Sequence, residues 1–356
     1  MQLVLAPLVA LVAALILTPQ VRRLAFRVGA LDSPDHRKVH QGVMPRLGGL
    51  AIYASFVLAV LVSEQMTPQL WGLLAGATVI MAVGMLDDIY RLPARVKLAG
   101  QVLAAVVVLF FGIEIQVVSN PFGADPVQLG LFVAAPLTVL WLVAVTNAVN
   151  LIDGLDGLAS GTAFIAALTM AAVIGLEGQV HSGVMGLALI MAAATLGFWK
   201  YNFHPARIFL GDGGSMLLGF LLANMAVMSL VAKSATVVSV IIPLVILGIP
   251  LADTVFAVVR RAHRHLPIMQ PDREHLHHRL LDLGLNHRQA VLAIYGVDLV
   301  LGGSAVFMAV MSQGSALMLV VAIALVAVVA VNRLDVIVQH LRTDYLTKEV
   351  RRSRRM

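Results

Sequence analysis

Long apolar segments recur along the whole sequence, and they limit its possible folds more than any other feature. A transmembrane α-helix needs about 20 apolar residues, and eleven segments approach that length: 2–21, 49–66, 70–86, 98–118, 129–149, 160–176, 183–200, 213–232, 235–258, 290–311 and 314–332. Only 12% of the 356 residues are charged, about half the fraction usual in soluble proteins. We therefore expect an all-α polytopic membrane protein with about eleven transmembrane helices. Residues 1–332 would form a single integral-membrane domain, and residues 333–356 a basic cytoplasmic tail.

The basic residues predict how these segments are oriented. Of the 25 Lys and Arg residues, 24 fall after odd-numbered segments, and only Lys233 falls on the other side. Positive charge is retained in the cytoplasm, so we expect an external N-terminus and a cytoplasmic C-terminus. Cytoplasmic loops are then predicted near 22–48, 87–97, 147–160, 201–213 and 259–289. This sorting explains the net charge of +6 without a nucleic-acid partner.

Most acidic residues gather on the same predicted side. Apart from Glu64 and Glu114, near external ends of segments, only Asp253 and Asp298 lie within segments. A surface rich in both signs of charge suits a charged, phosphorylated compound bound with a metal ion. A secondary transporter of an anionic sugar or nucleotide is the alternative from another class. Such a transporter would more often carry its ionisable groups at mid-membrane, where this sequence has few, and it would show paired repeats and broken helices, neither of which the pattern indicates. The absence of cysteine excludes disulfides, thiolate metal sites and a cysteine nucleophile.

The stretch NAVNLIDGLDGLASG (147–161) places polar residues directly against the fifth apolar segment. Asn147, Asn150 and Asp153 are three residues apart and share one face if the helix persists. Gly154 and Gly157 would then let the backbone approach a ligand closely. Such oxygens suit a hard cation such as Mg²⁺, whereas the structural alternative is that Asn bonds a neighbouring helix. With Asp156, four Asn and Asp residues occur within ten positions, which favours a binding site.

Two further motifs carry carboxylates at predicted segment ends. GMLDDIYRLPARVK (84–97) contains the adjacent pair Asp87 and Asp88 followed by Arg91, Arg95 and Lys97. A cationic side chain, a bound Mg²⁺ or both would relieve the repulsion of that pair. FLGDGGS (209–215) places Asp212 in a glycine-rich turn entering a helix, which can bind phosphate and metal. Phe209 would stack on a base. A solvated helix end and an ordinary turn are the structural alternatives.

The remaining motifs are rich in histidine and basic residues. EHLHHRL (274–280) contains His275, His277, His278 and Arg279, which favour a diphosphate clamp. A closed zinc site is not indicated, since there is no cysteine and no spaced fourth ligand. The loop HRKVHQGVMPRLGG (36–49) offers Lys38 and His40 to an anion, or is only a cytoplasmic charge anchor.

Taken in chain order, these five motifs follow segments 1, 3, 5, 7 and 9. Together they resemble the polyprenyl-phosphate N-acetylhexosamine-1-phosphate transferases over essentially the whole chain. The resemblance implies transfer of N-acetylglucosamine 1-phosphate from UDP-GlcNAc to undecaprenyl phosphate, with release of UMP. It also implies Mg²⁺, which Mn²⁺ can replace, a bacterial plasma-membrane location, an active site facing the cytoplasm, and a homodimer. The form HLHHRL favours the hexosamine branch over the phospho-MurNAc-pentapeptide branch, which stays an alternative.

The resemblance also implies roles for individual residues. Asp212 and Asn150 would hold the metal, with Asp87, Asp88, Lys97, His277 and His278 as catalytic residues. The substrate-binding set would comprise Asn147, Asp153, Asp156, Asn202, Phe209, His275, Arg279, Lys38 and His40. The acceptor phosphate has its second pKa near ~6 and is largely ionised at pH 7. A strong general base is therefore not required, and we expect Asp87 to orient the acceptor or take its residual proton.

Overall fold

The described chain is almost entirely helical, which confirms the predicted fold class. The structure, a computed structural model, describes residues 2–32, 42–63, 66–118, 127–178, 183–231, 237–265, 275–330 and 333. Its helices are α1 (Gln2–Val28), α2 (Gly48–Ser63), α3 (Pro68–Tyr90), α4 (Ala94–Phe110), α5 (Leu131–Leu151), α6 (Leu158–Leu176), α7 (Val184–Asn202), α8 (Gly211–Val231), α9 (Val237–Ile246), α10 (Gly248–His263), α11 (Leu276–Asp282), α12 (His287–Val310) and α13 (Gln313–Ala330). Two small antiparallel hairpins complete this part of the chain. β1 (Leu31–Asp32) pairs with β2 (Met44–Pro45), and β3 (Val117–Val118) pairs with β4 (Val127–Gln128).

Each predicted apolar segment corresponds to a helix or to a pair of helices. Within the described ranges, eight helices are long and apolar enough to cross a membrane, or nine if α9 and α10 form one span. The helices α2 and α4 are shorter, at 16 and 17 residues. The chain is therefore a polytopic membrane protein, and the count of eleven spans and their orientation stay predictions.

Two boundaries differ from the sequence prediction for identifiable reasons. The first helix continues past residue 21 to Val28, because nothing in residues 22–28 breaks a helix until Gly29 takes a positive φ of 75°. The segment predicted at 98–118 is α4, which starts at Ala94 after Pro93 and ends before Gly112, with φ 80°. Lys97 consequently lies in the first turn of a helix.

The ninth predicted segment is not one continuous helix, and this expectation was wrong. The helices α9 and α10 meet at a bend of 82° around Leu247. Pro250 lacks the N–H that would bond the carbonyl of Ile246, so the helical hydrogen-bond ladder is interrupted where the two helices meet. The expected lack of a broken helix was evidence against a transporter, and the bend between α9 and α10 removes that evidence.

The helix α8 lies at the centre of the bundle. It packs against α3 and α5 and more lightly against α2 and α6, while α1 packs on α2 and α7, and α6 on α7 and α12. In the most apolar part of α8, 83% of the residues are buried, compared with 6% in the peripheral α13. Glycines permit the closest contacts. A Cβ on Gly49 would lie 2.1 Å from the Cα of Gly214, and a Cβ on Gly84 would lie 2.1 Å from the Cα of Gly213. The N-terminus of α8 is thereby fixed against α2 and α3.

Candidate active site

The termini of five helices converge at one end of the bundle. The last turns of α3 and α5 and the first turns of α2, α4 and α8 meet there, and the preceding hairpin β1–β2 lies beside them. The backbone of this region is joined by hydrogen bonds from Phe209 N–H to the Pro45 carbonyl at 2.8 Å and from Gly48 N–H to the Phe209 carbonyl at 3.0 Å. The MPRLGG and FLGDGGS motifs, which are far apart in sequence, therefore form one unit.

Lys97 connects two carboxylates of this region. Its Nζ lies 2.7 Å from Asp212 Oδ2 and 3.2 Å from Asp87 Oδ2. The other oxygen of Asp87 accepts the Leu92 N–H at 2.7 Å. Asp212 remains 26% exposed, whereas Asp87 is only 6% exposed. Asp212 is thus the more accessible of the two carboxylates.

Asp88 is buried completely and has two sets of partners. Its oxygens accept the backbone N–H groups of Asp212, at 2.9 Å, and Gly213, at 3.2 Å. It therefore caps the N-terminus of α8, where a carboxylate is stabilised by free N–H groups and the helix dipole. A Cβ on Gly211 (φ 76°) would lie 2.5 Å from Asp88 Oδ2, so only glycine permits this approach. The guanidinium of Arg46 faces the same carboxylate at 2.9 Å.

The two Asn residues of α5 have different surroundings. Asn147 exchanges hydrogen bonds with Gln101 of α4 and donates to the Val143 carbonyl, so its amide serves helix packing. Its predicted substrate contact gains no support from this geometry. Asn150 donates from Nδ2 to Ser215 Oγ at 2.8 Å. Ser215 lies one turn along α8 from Asp212. The bond uses the amide nitrogen of Asn150, so the amide oxygen is the atom with the chemistry to bind a cation.

The turn after α5 carries Asp153 and Asp156. The helix ends at Leu151, so Asp153 does not continue the face of Asn150. Burial raises the pKa of Asp153 to about 8, and the negative charges of Asp212 and Asp88 add to the rise. Asp156 accepts from the Ala206 N–H at 3.1 Å and lies 2.8 Å from His204 Nδ1.

The three histidines of the HLHH motif lie in different environments. His275 bonds Asp253 of α10 at 2.8 Å, and the same carboxylate accepts the Leu276 N–H that begins α11. His277 is buried against Gly154, where a Cβ would lie 2.2 Å from its Nε2. Burial, assisted by His278, lowers the pKa of His277 to about 3. His277 is therefore neutral at physiological pH. His278 is the histidine of this motif that lines the large cavity beside the carboxylates.

That cavity has a volume of 420 Å³ and opens beside the carboxylates. The residues lining it include Asp32, Arg46, Asp153, Asp156, Asn202, His204, Phe209, Asp212, His278 and His287. Asn202 is nearly buried and is held by Ser160 and the Ile208 carbonyl. The cavity thus combines acidic, cationic and aromatic groups, as a site for a phosphorylated compound requires.

Two groups of side chains have metal-binding chemistry. The first consists of the oxygens of Asp212, Asp87 and Asn150, which are the hard ligands that Mg²⁺ prefers. The second consists of Asp156, His204 and His287, whose ligand atoms lie within 4.8 Å of one another. Hydrogen bonds already join the second group, because Asp156 N–H donates to His287 Nε2 at 2.8 Å and Asp156 Oδ2 pairs with His204. Members of the first group are engaged as well, since Lys97 contacts Asp87 and Asp212. The first group suits Mg²⁺ better by its chemistry, because all its donors are oxygens whereas two of the three donors in the second are imidazoles.

The structure brings together most of the residues that the sequence predicted, but not all. Asp87, Asp88, Lys97, Asp153 and Asp212 lie in one cluster, and Arg279 is carried by α11 with the histidines. Lys38 and His40 lie outside the described residues. Sequence reasoning gave no role to Arg46, Asp253, His204 or His287. Arg46 was visible in the MPRLGG motif, but its partners are distant in sequence.

Comparison with known proteins gives consistent matches. Residues 70–230 match the family described as "Glycosyl transferase family 4". The chain is 44% identical over 306 residues to a Bacillus subtilis protein named "Probable undecaprenyl-phosphate N-acetylglucosaminyl 1-phosphate transferase", covering 86% of this chain and 84% of the relative. It is 36% identical over 321 residues to the decaprenyl-phosphate N-acetylglucosaminephosphotransferase of Mycobacterium tuberculosis H37Rv, covering 83% and 79%. It is 30% identical over 278 residues to the undecaprenyl-phosphate alpha-N-acetylglucosaminyl 1-phosphate transferase of Escherichia coli K12, covering 77% and 75%.

Proposed function

Because the chain belongs to glycosyl transferase family 4, the polyprenyl-phosphate N-acetylhexosamine-1-phosphate transferases, we propose that it transfers N-acetylglucosamine 1-phosphate from UDP-GlcNAc to undecaprenyl phosphate. The products are undecaprenyl-diphospho-GlcNAc and UMP, and the reaction is the first membrane step of a cell-envelope polysaccharide. The observation that carries this proposal is that Lys97 joins Asp87 to Asp212, and that Asp212 lines a 420 Å³ cavity. The named relatives support the same reaction.

The reaction is a displacement at the phosphorus that carries the sugar. An oxygen of the acceptor phosphate forms a new bond to this phosphorus, and the bond to the UMP oxygen breaks. The main obstacle is bringing two anions together, because the acceptor phosphate is largely ionised at pH 7. The residues of this site therefore need to neutralise and orient the phosphates more than to activate the acceptor.

The donor set of Asp212 and Asn150 fits Mg²⁺, with Mn²⁺ as a substitute. When bound, such an ion neutralises charge on the diphosphate and helps align it. Lys97 adds a fixed cation between Asp87 and Asp212. Phe209 and Asp156, on the cavity wall, supply the stacking surface and polar contacts proposed for the uracil.

Asp87 is proposed to orient the acceptor phosphate rather than to attack phosphorus. Both of its oxygens already take part in hydrogen bonds, with Leu92 N–H and with Lys97, which reduces its nucleophilicity. The acceptor's own oxygen is then the nucleophile, and Asp87 can take a residual proton from it. Ping-pong kinetics or a trapped phospho-Asp87 would contradict this role.

The direct test is UMP release by the purified protein from UDP-GlcNAc, with and without undecaprenyl phosphate, in Mg²⁺. We expect release that depends on the lipid. Parallel reactions with UDP-GalNAc and UDP-MurNAc-pentapeptide identify the donor, and preference for the pentapeptide would place the chain in the other branch. Transport of a sugar nucleotide into vesicles, with no UMP release, would support the transporter instead.

The proposed setting is the bacterial plasma membrane, with the site facing the cytoplasm. The polytopic fold supports a membrane location, and a lipid-linked acceptor cannot leave the bilayer, since each buried CH₂ contributes roughly 0.8 kcal/mol. UDP-sugars are cytosolic, so the soluble donor would enter from that side. A homodimer remains an expectation from the family.

A further inference from the structure

The most distinctive unassigned residue of the site is Arg46, which lies between three carboxylates. Its Nε donates to Asp88 Oδ1 at 3.0 Å, and one terminal nitrogen lies 2.9 Å from the same oxygen and 3.3 Å from Asp212 Oδ1. The other terminal nitrogen lies 3.7 Å from Asp32 Oδ1. The Arg46 side chain is 17% exposed, so these contacts are largely shielded from water.

The backbone around Arg46 fixes it relative to α8. Arg46 N–H donates to the Ala30 carbonyl at 3.0 Å, and Gly49 N–H donates to the Leu210 carbonyl at 2.9 Å. Arg46 also forms a β-bridge with Phe209, two residues before α8 begins. The Arg46 side chain is therefore held at both ends, because its backbone is fixed by hydrogen bonds and its guanidinium by carboxylate partners.

The partner Asp88 does not face the cavity. It is 0% exposed and caps α8 through the N–H groups of Asp212 and Gly213. A buried carboxylate needs a counter-charge, and removal of one partner of such a pair is strongly destabilising. Arg46 supplies that charge to Asp88 and extends to the carboxylate of Asp212 as well.

We propose that Arg46 and Asp88 form a positioning pair that sets the direction of the Asp212 carboxylate. Arg46 lines the cavity, but its guanidinium is directed to carboxylates, so the pair acts through Asp212 and not on a substrate. Asp88 holds the backbone of Asp212, and Arg46 holds one side-chain oxygen, Oδ1. The other oxygen, Oδ2, is held by Lys97. The inference deepens the proposed function, because it rests on Asp212 as the metal ligand.

The discriminating substitution is Arg46→Lys, which keeps the charge but loses the planar fork. One ammonium cannot reproduce the guanidinium contacts to both Asp88 and Asp212. We expect Mn²⁺ binding to the purified protein, measured by electron paramagnetic resonance in the presence of UDP, to weaken about tenfold or more, as for other outer-shell partners of metal ligands. Arg95→Gln, which removes an exposed basic residue in the first turn of α4, should leave Mn²⁺ binding unchanged.

Steady-state kinetics separate positioning from substrate contact. Arg46→Lys should lower kcat and raise the Mg²⁺ concentration needed for half-maximal rate, with the KM for UDP-GlcNAc unchanged. A selective rise in the KM for UDP-GlcNAc would show that Arg46 contacts the diphosphate and would overturn the proposal. Wild-type Mn²⁺ affinity and kcat in Arg46→Lys would overturn it equally.

A stability measurement covers the case in which the variant folds poorly. In a double-mutant cycle of Arg46→Gln and Asp88→Asn, the two losses in unfolding temperature should be less than additive, because the residues form one pair. Additive losses would contradict the pairing. Lipid-dependent UMP release by the wild type tests the proposed function separately, so that one idea can fail while the other stands.

Discussion

At the scale of single residues, the carboxylates of this site have separate tasks despite their similar sequence context. Asp87 and Asp88 are adjacent, yet one pairs with Lys97 beside the cavity and the other caps α8 in the interior. Helix geometry explains the difference, since consecutive residues point about 100° apart. Substitution of either residue should therefore lower activity for a different reason. At Asp87 it removes a group that acts on the reactants, and at Asp88 it disturbs the position of Asp212.

The first residue-scale prediction concerns Asp212. Asp212→Asn keeps the backbone N–H that Asp88 accepts, so folding should be preserved. Lipid-dependent UMP release should fall by more than about 100-fold, beyond the loss usual for outer-shell residues. The protein should retain its unfolding temperature in detergent, and Asp282→Asn, an exposed acid on α11, serves as the control. Substantial residual turnover at saturating Mg²⁺ would count against Asp212 as the metal ligand.

The second residue-scale prediction concerns the pH dependence of stability. Burial lowers the pKa of His277 to about 3, against about 6.5 in an unfolded chain. Between these values the unfolded chain binds a proton that the folded chain does not, so stability falls as the pH drops below 6.5. The slope from this residue approaches roughly 1.4 kcal/mol per pH unit.

Unfolding temperatures at pH 7 and pH 5 test this directly. The drop between the two should be smaller in His277→Asn than in the wild type, because the variant has no imidazole to protonate. His263→Asn, which changes an exposed histidine on α10, should behave as the wild type does. An identical drop in all three proteins would show that His277 does not titrate differently on unfolding.

At the scale of secondary-structure elements, the site depends on how closely helices approach. Gly84 of α3 faces Gly213 of α8, one turn before the Asp87–Asp88 pair. The absence of two side chains at this contact lets the carboxylates of α3 reach the first turn of α8. The glycines are therefore part of the active-site geometry although they bear no chemistry.

Gly84→Ala is the corresponding prediction. The new Cβ would lie 2.1 Å from the Cα of Gly213, which is backbone and cannot rotate away, so α3 and α8 must separate. A displacement near 1 Å at a catalytic site can cost on the order of 100-fold in rate. We expect such a loss in UMP release, with Gly296→Ala, whose added Cβ meets no atom within 4 Å, as the matched control. Full activity in Gly84→Ala would contradict the close contact.

The broken pair α9–α10 also acts at this scale. Its second helix carries Asp253, which binds His275 and the N-terminus of α11. The bend therefore determines where the histidine motif lies, and α11 is positioned against the turn that contains Gly154. The histidines can approach the carboxylates because α10 departs from the direction of α9.

At the scale of the whole molecule, the prediction is that all the motifs face one side of the membrane. The chain has no cysteine, so single cysteines can be introduced and labelled without background. In right-side-out vesicles, Arg95→Cys, Arg207→Cys and Asp282→Cys should resist a membrane-impermeant thiol reagent until the vesicles are opened. Gln128→Cys, in the hairpin at the other end of α4 and α5, should react from outside. Labelling of the first three from opposite sides would exclude a shared site.

The sequence by itself determined the fold class and the chemical identity of the site, because both depend on local patterns. Runs of apolar residues predict helices in a membrane, and the polar residues that interrupt them at segment ends are too costly to bury without a purpose. Asp87 and Asp212 were predicted on these grounds and Lys97 from the family resemblance, and the structure places the three together.

Only the tertiary structure decided how the tasks are divided among these residues. Arg46 lies 42 residues from Asp88 and 166 from Asp212, and no local pattern records which cation meets which carboxylate. Likewise, Asn147 was predicted to bind substrate, yet its amide is paired with Gln101 of the neighbouring helix. Hydrogen bonds and ion pairs act over about 3 Å, so partners are selected by helix packing, which brings together residues that the chain separates widely.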